Sequence, residues 1–131
     1  MKAALLQLNS GDDPEENLGS TLAAFDEAAG AGAGLILTPE VTNCVSTSRT
    51  HQQSVLTHEA EDITLKALRA RATEAGVWCL IGSLALKTDD PDGRFANRSF
   101  LIGPDGAIAA RYDKIHMFDV AVTETETYRE S

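Results

Sequence analysis

The chain of 131 residues is 43% hydrophobic and 24% charged, with 20 acidic against 11 basic residues, a net charge of −9 and two cysteines. That length suffices for one compact unit with a true core, and the hydrophobic content is too high for a disordered acidic tail. The acidic excess, with no cluster of Lys and Arg to reverse it, sets nucleic acid and anionic membrane surfaces aside as partners.

Met1-Lys2 leads into Ala3-Ala4-Leu5-Leu6-Gln7-Leu8, too short for a signal-peptide core, and no cleavage pattern follows. No apolar run reaches the ~18–20 residues of a spanning helix, so a cytoplasmic protein is expected. In that compartment Cys44 and Cys79 read as reduced thiols filling small apolar spaces. Ala3 to Leu8 is apolar almost without alternation, which predicts a central strand covered on both faces.

Asp13, with Glu16 three residues later and Pro14 at the first helical position, predicts a capped helix start. Leu18, Leu22, Phe25 and Ala29 share one face of that helix, which stops at Gly30-Ala31-Gly32. Gly34 to Thr38 is a second short apolar strand, ended by Pro39, so that Glu40 stands at a strand's carboxyl end. From Val41 to His58 the chain is polar and aperiodic, a long loop of the kind that often carries function. A second helix is predicted from about Glu59 to Ala75, burying Leu65, Leu68, Ala72 and Ala75 and ending at Gly76. Val77 to Ser83 is the third strand.

The turns Asp90-Pro91-Asp92-Gly93 and Gly103-Pro104-Asp105-Gly106 then bracket hairpin strands at Ala96 to Ile102 and Ala107 to Tyr112. The order β-α-β-α-β-β-β predicts an α/β fold, a mixed sheet with helices on at least one face. Thr123-Glu124-Thr125-Glu126-Thr127 has the composition of a solvated loop.

Two residues stand where chemistry is expected. Glu40 follows a strand end, the place where open α/β sheets hold their ligands, although position alone fits a surface glutamate better. Lys114, in Tyr112-Asp113-Lys114-Ile115-His116-Met117-Phe118-Asp119, sits among aromatic and apolar residues that can fix an ammonium, though a snorkelling lysine fits the same pattern. His51, His58 and His116 lack zinc-site spacing, so no metal is expected. Gly30-Ala31-Gly32-Ala33-Gly34 precedes a strand instead of opening a helix, which excludes a dinucleotide loop. No cofactor is implied.

Taken together these segments resemble a known family. Leu35-Ile36-Leu37-Thr38-Pro39-Glu40 is similar to the apolar strand ending in Pro-Glu of the nitrilase superfamily, the carbon–nitrogen hydrolases. Tyr112 to Val120 resembles its catalytic-lysine motif in the Nit-type amidase form, and Tyr128-Arg129-Glu130-Ser131 its following aromatic-x-Glu-Ser element. The opening strand and the Asn17 helix are also family-like. The resemblance implies half of an α-β-β-α sandwich, with Glu40 as general base, Lys114 as stabiliser of the tetrahedral intermediate and Glu130 as a second glutamate. It also implies a small-molecule amide substrate with a carboxylate, such as an ω-amido acid or deaminated glutathione.

The family nucleophile lies in a later Cys-Tyr-Asp-like elbow, and neither Cys44 nor Cys79 has its flanking residues. The chain is therefore expected to be the amino-terminal part of a single hydrolase domain, inactive by itself. Glu40 and Lys114 are expected to terminate neighbouring strands within about 4–6 Å of each other. The uncovered strand surface of a half sandwich favours association, and a homo-oligomer is expected. Two other readings are a receiver-type signalling domain, suggested by Asp12-Asp13 and a late lysine, and a short non-catalytic binding protein.

Overall fold

The computed structural model describes residues 1–115 in full and, beyond them, the backbone of two short strands at 119–121 and 127–129. Five strands form one mixed sheet in spatial order β1 to β5: β1 (Ala3–Leu5), β2 (Leu35–Leu37), β3 (Trp78–Leu86), β4 (Ala96–Ile102) and β5 (Ile108–Asp113). The first three run parallel, and β4 and β5 continue the sheet antiparallel. Helix α1 (Pro14–Gly30) links β1 to β2, while α2 (Arg49–Val55), a single 3-10 turn at Glu59–Glu61 and α3 (Ile63–Ala75) lie between β2 and β3. β6 (Asp119–Ala121) and β7 (Thr127–Arg129) pair antiparallel as a separate two-stranded unit. This is the α/β mixed sheet expected from the order of elements.

Each helix starts where its cap allows. The Asp13 carboxylate accepts from the Glu15 amide at 3.0 Å and Pro14 opens the helix, as predicted. For α3 the cap is Asp62, which accepts from the Leu65 amide at 2.7 Å, so the helix begins at Ile63 and not at Glu59. It ends on Gly76 in the left-handed conformation, φ 66°, which glycine adopts without a Cβ penalty. Helix α2, which interrupts the expected loop, is capped by Ser48 accepting from the His51 amide at 3.2 Å. It buries no residue, and its polar sequence therefore carries no hydrophobic period.

α1 and α3 pack side by side against β2 and β3. Between them and the sheet, Phe25, Ile36, Leu68, Cys79, Ile81, Phe100 and Ile102 are fully buried. On α1 Phe25 is fully buried and Leu22 and Ala29 pack against the core, as expected, while the most buried line turns to include Asn17 and Thr21. That shift is possible because the polar atoms are satisfied: the Thr21 hydroxyl donates to Asn17 O at 2.7 Å, and the Asn17 amide bonds Gly11 and Asn43 main-chain oxygens. Ala75 is exposed at the end of α3.

The opposite face of the sheet is apolar and open. Cross-strand partners share a face, and the registers align Leu5, Leu37, Leu80, Leu101 and Ala110 in one row across all five strands. The first strand departs most from expectation. Among the described residues β1 is three residues long, pairs with β2 alone and leaves Leu5 76% exposed, so it stands at the end of this sheet and not at its centre. Thr127, expected in a loop, opens β7, while Thr123 to Glu126 lie outside the described residues.

Candidate active site

The Pro39-Glu40 turn is built on a bulge in β3. The β3–β4 register shifts between Ile81 and Leu84, and there the amides of Gly82 and Ser83 turn to the chain leaving β2. Gly82 N donates to Thr38 O at 3.1 Å and Ser83 N to Pro39 O at 3.2 Å. Thr42 N donates to Ser83 O at 3.0 Å. The Thr42 hydroxyl closes the turn at 2.6 Å from Pro39 O. The Asn43 side chain pairs with the Ala85 amide and carbonyl at 2.9 and 2.8 Å, standing in for a strand residue. Val41, directly after Glu40, has φ 44°, a conformation that a β-branched residue adopts only under constraint. Its amide donates to Ser83 Oγ at 2.8 Å, which supplies that constraint.

Glu40 and Lys114 meet. Lys114 Nζ donates to Glu40 Oε1 at 3.1 Å, shorter than the expected separation, and the side chains are 33% and 57% exposed respectively. They do not terminate neighbouring strands: Glu40 follows β2 and Lys114 follows β5, with β3 and β4 between. The intervening residue is Asn97 at the start of β4, whose Nδ2 donates to the same Glu40 Oε1 at 2.9 Å. Its main-chain oxygen accepts from the Lys114 amide at 2.9 Å. Sequence reasoning missed Asn97, Ser83 and Gly82. The available signals were an asparagine in a strand, where that residue is depleted, and a glycine inside an apolar strand, which marks a bulge or a close backbone approach.

One step along the ladder, Arg98 makes a two-pronged ion pair with Asp113, Nε–Oδ1 at 2.5 Å and Nη2–Oδ2 at 3.0 Å. Glu59 accepts from Arg98 at 3.2 Å and from Arg111 at 2.8 Å, tying the turn before α3 to both hairpin strands. Hydrogen bonds from Arg111 hold the Glu59 carboxyl below its ordinary value, and those from Arg98 do the same for Asp113. Depressed carboxylates contribute stability that is present above their unfolded pKa values, near 4, and lost as the pH falls through the lower folded values. Arg98→Met should therefore destabilise the chain at pH 7. The melting-temperature gap to the wild type should close as the pH is lowered below about 4.

Neither cysteine belongs to this constellation. Cys79 is fully buried and desolvation pushes its thiol up to about 12. Cys44 is 2% exposed, packs with Leu56, Ala85 and Phe95, and is raised by burial and by Asp12 and Asp13. Thiols so protonated are poor nucleophiles. Glu130 and His116 lie outside the described residues.

A family model described as carbon-nitrogen hydrolase matches residues 2–131, and the chain belongs to that family. It is 32% identical over 130 residues to the Nitrilase homolog 2 of Dictyostelium discoideum, covering 99% of this chain and 39% of that protein. To the deaminated glutathione amidase of Yersinia enterocolitica it is 31% identical over 129 residues, covering 98% and 44%. The crystal structure of the C. elegans NitFhit protein superposes with a TM-score of 0.85 at 23% identity, over 98% of this chain and 31% of that one. The chain thus spans less than half the length of the relatives it matches.

The receiver-type reading falls with this assignment, and the residues that prompted it have other work. Asp13 caps α1 and Asp12 pairs with His51 at 3.7 Å. Among the described residues no helix is long and apolar enough to cross a membrane.

Proposed function

We propose that the chain is the amino-terminal part of an amidase that hydrolyses a small carboxylated amide through a Glu-Lys-Cys set, the cysteine being supplied by a segment beyond Ser131. The observation that carries this reading is the 3.1 Å contact between Glu40 and Lys114 at one end of the sheet. The burial of both cysteines supports placing the nucleophile elsewhere. The open row of Leu5, Leu37, Leu80 and Leu101 supports further sheet or helix packing on the face that bears the pair. Uncovered, that row disposes the bare chain to associate, and the homo-oligomeric state and cytoplasmic location belong to the same proposal.

In the proposed reaction Glu40 takes the thiol proton as sulfur attacks the amide carbon. Lys114 donates to the oxyanion, and an ammonium has three donors with which to hold Glu40 and the oxyanion together. The C–N bond then breaks, Glu40 returns the proton to the departing ammonia, and a thioester remains. Water attacks the thioester, its proton passes to Glu40 and then to the released thiolate, and the carboxylic acid leaves. Glu130 is assigned as the second glutamate that supports this set.

The test is ammonia release by a protein carrying these residues and the cysteine segment, offered ω-amido acids, deaminated glutathione and simple aliphatic amides. Turnover is expected to be highest for an amide that also bears a carboxylate. Equal turnover of uncharged amides would overturn the substrate class, and none with any amide would leave a non-catalytic binding protein.

A further inference from the structure

We propose that Asn97 is the positioning residue of the Glu40–Lys114 pair, fixing the carboxylate with its side chain and the lysine with its main chain. The inference deepens the amidase reading and rests on it for its kinetic consequences.

The two charged groups come from chain segments separated by two strands of the sheet, and neither is buried enough to be held by packing. A glutamate and a lysine with half-exposed side chains lose rotamer entropy when ordered, so something must hold them. Asn97 is only 9% exposed and touches both. Its Nδ2 and Lys114 Nζ converge on one carboxylate oxygen, Oε1, at 2.9 and 3.1 Å. Oε2 is thereby oriented by its partner oxygen's anchors, and in the proposed reaction it is the atom for proton transfer. The main-chain oxygen of Asn97 takes the Lys114 amide at 2.9 Å. The Arg98–Asp113 pair fixes that register from the next rung.

The face on which Asn97 stands is otherwise unsuited to a buried amide. Period-two alternation places it with Ser99 and Leu101, at the edge of the open apolar row. A buried carboxamide there costs free energy unless its donor is used, and Glu40 is the acceptor that uses it. Asn97 touches neither the scissile bond nor the oxyanion in the proposed reaction, so its contribution is placement: an error of about 1 Å in such a group costs on the order of a hundredfold in rate.

Two measurements test this. In the first, the 131-residue chain is treated with a water-soluble carbodiimide, which joins a carboxylate to an amine in contact with it, and the Glu40–Lys114 cross-link is quantified by peptide mass spectrometry. The wild type should form it. Asn97→Ala, at nearly unchanged melting temperature, and the isosteric Asn97→Asp, whose carboxylate faces Glu40 and lowers the melting temperature, should each form it about tenfold less when measured well below the melting transition.

In the second, the same variants in a protein carrying the cysteine segment should lose about 30- to 100-fold in kcat with KM within threefold. A residue that only supported the fold would lower the melting temperature and move both constants. Wild-type cross-linking and kcat in both variants, or no cross-link in the wild type, would overturn the proposal. An inactive wild type with Asn97-dependent cross-linking would overturn the amidase reading and leave the positioning role standing.

Discussion

Lys114→Ala and Glu40→Gln should each lower kcat for amide hydrolysis by at least about a thousandfold in a protein that carries the cysteine segment, with little change in melting temperature. One oxyanion donor is commonly worth 10²–10³ in rate, and a lysine adds a full charge to that bond. Glu40→Gln keeps the shape and an acceptor oxygen but removes the proton acceptor, so the thiol is no longer deprotonated in the attack. The 3.1 Å contact makes the two residues one unit, and the double variant should be hardly slower than either single one. Losses that multiply would mean that the pair does not act together. A fully active Lys114→Ala protein would refute the assignment of the lysine.

Gly82→Ala should be the most destabilising small substitution in the sheet, costing about 3 kcal/mol or more. A Cβ at this position would run into Thr38 O and stand 2.6 Å from the Pro39 carbonyl carbon and oxygen. These are main-chain atoms held by the bulge, and they cannot step aside as a flexible side chain would. The strand would have to part from the Pro39-Glu40 turn, moving Glu40 away from Lys114. A thermal melt should show Tm lowered by about 10 °C or more. Gly19→Ala is the control: nothing lies within 4 Å of its Cβ in the middle of α1, and it should stabilise by up to about 1 kcal/mol. Equal effects of the two would contradict the close-approach account.

How far the sequence revealed this molecule depended on whether the cause was local. The cap at Asp13-Pro14, the stop at Gly76 and the turn ending in Gly106 depend on a few adjacent residues, and each lies where it was expected. Strand β4 was legible to the residue because a turn precedes it and another follows. Helix α2 was not, since it is short and polar. Its order comes from the Ser48 cap and from Arg49, which donates to Gly93 O at 2.6 Å and stacks over Phe95 at 5.1 Å.

The candidate site divides in the same way. Glu40 and Lys114 could be picked out because each ends a strand in a distinctive sequence. Asn97 could not, because its partner Glu40 lies 57 positions away and only the register of β4 against the bulged β3 brings it there. An uncovered strand surface was expected from the resemblance, but which residues form it was not legible, for the same reason. Leu5, Leu37, Leu80 and Leu101 look like core residues singly, and only the sheet shows that they share the face away from α1 and α3.

On the proposed reading this chain holds the base and the oxyanion donor of an amidase but not its nucleophile. Ammonia release from ω-amides by the pure 131-residue chain, measured beside a protein that carries the cysteine segment, tests it most directly. The chain alone should show no turnover and the longer protein ready turnover. Robust turnover by the chain alone, abolished by Cys44→Ala or Cys79→Ala, would contradict it and show that a buried thiol reaches the Glu40–Lys114 pair.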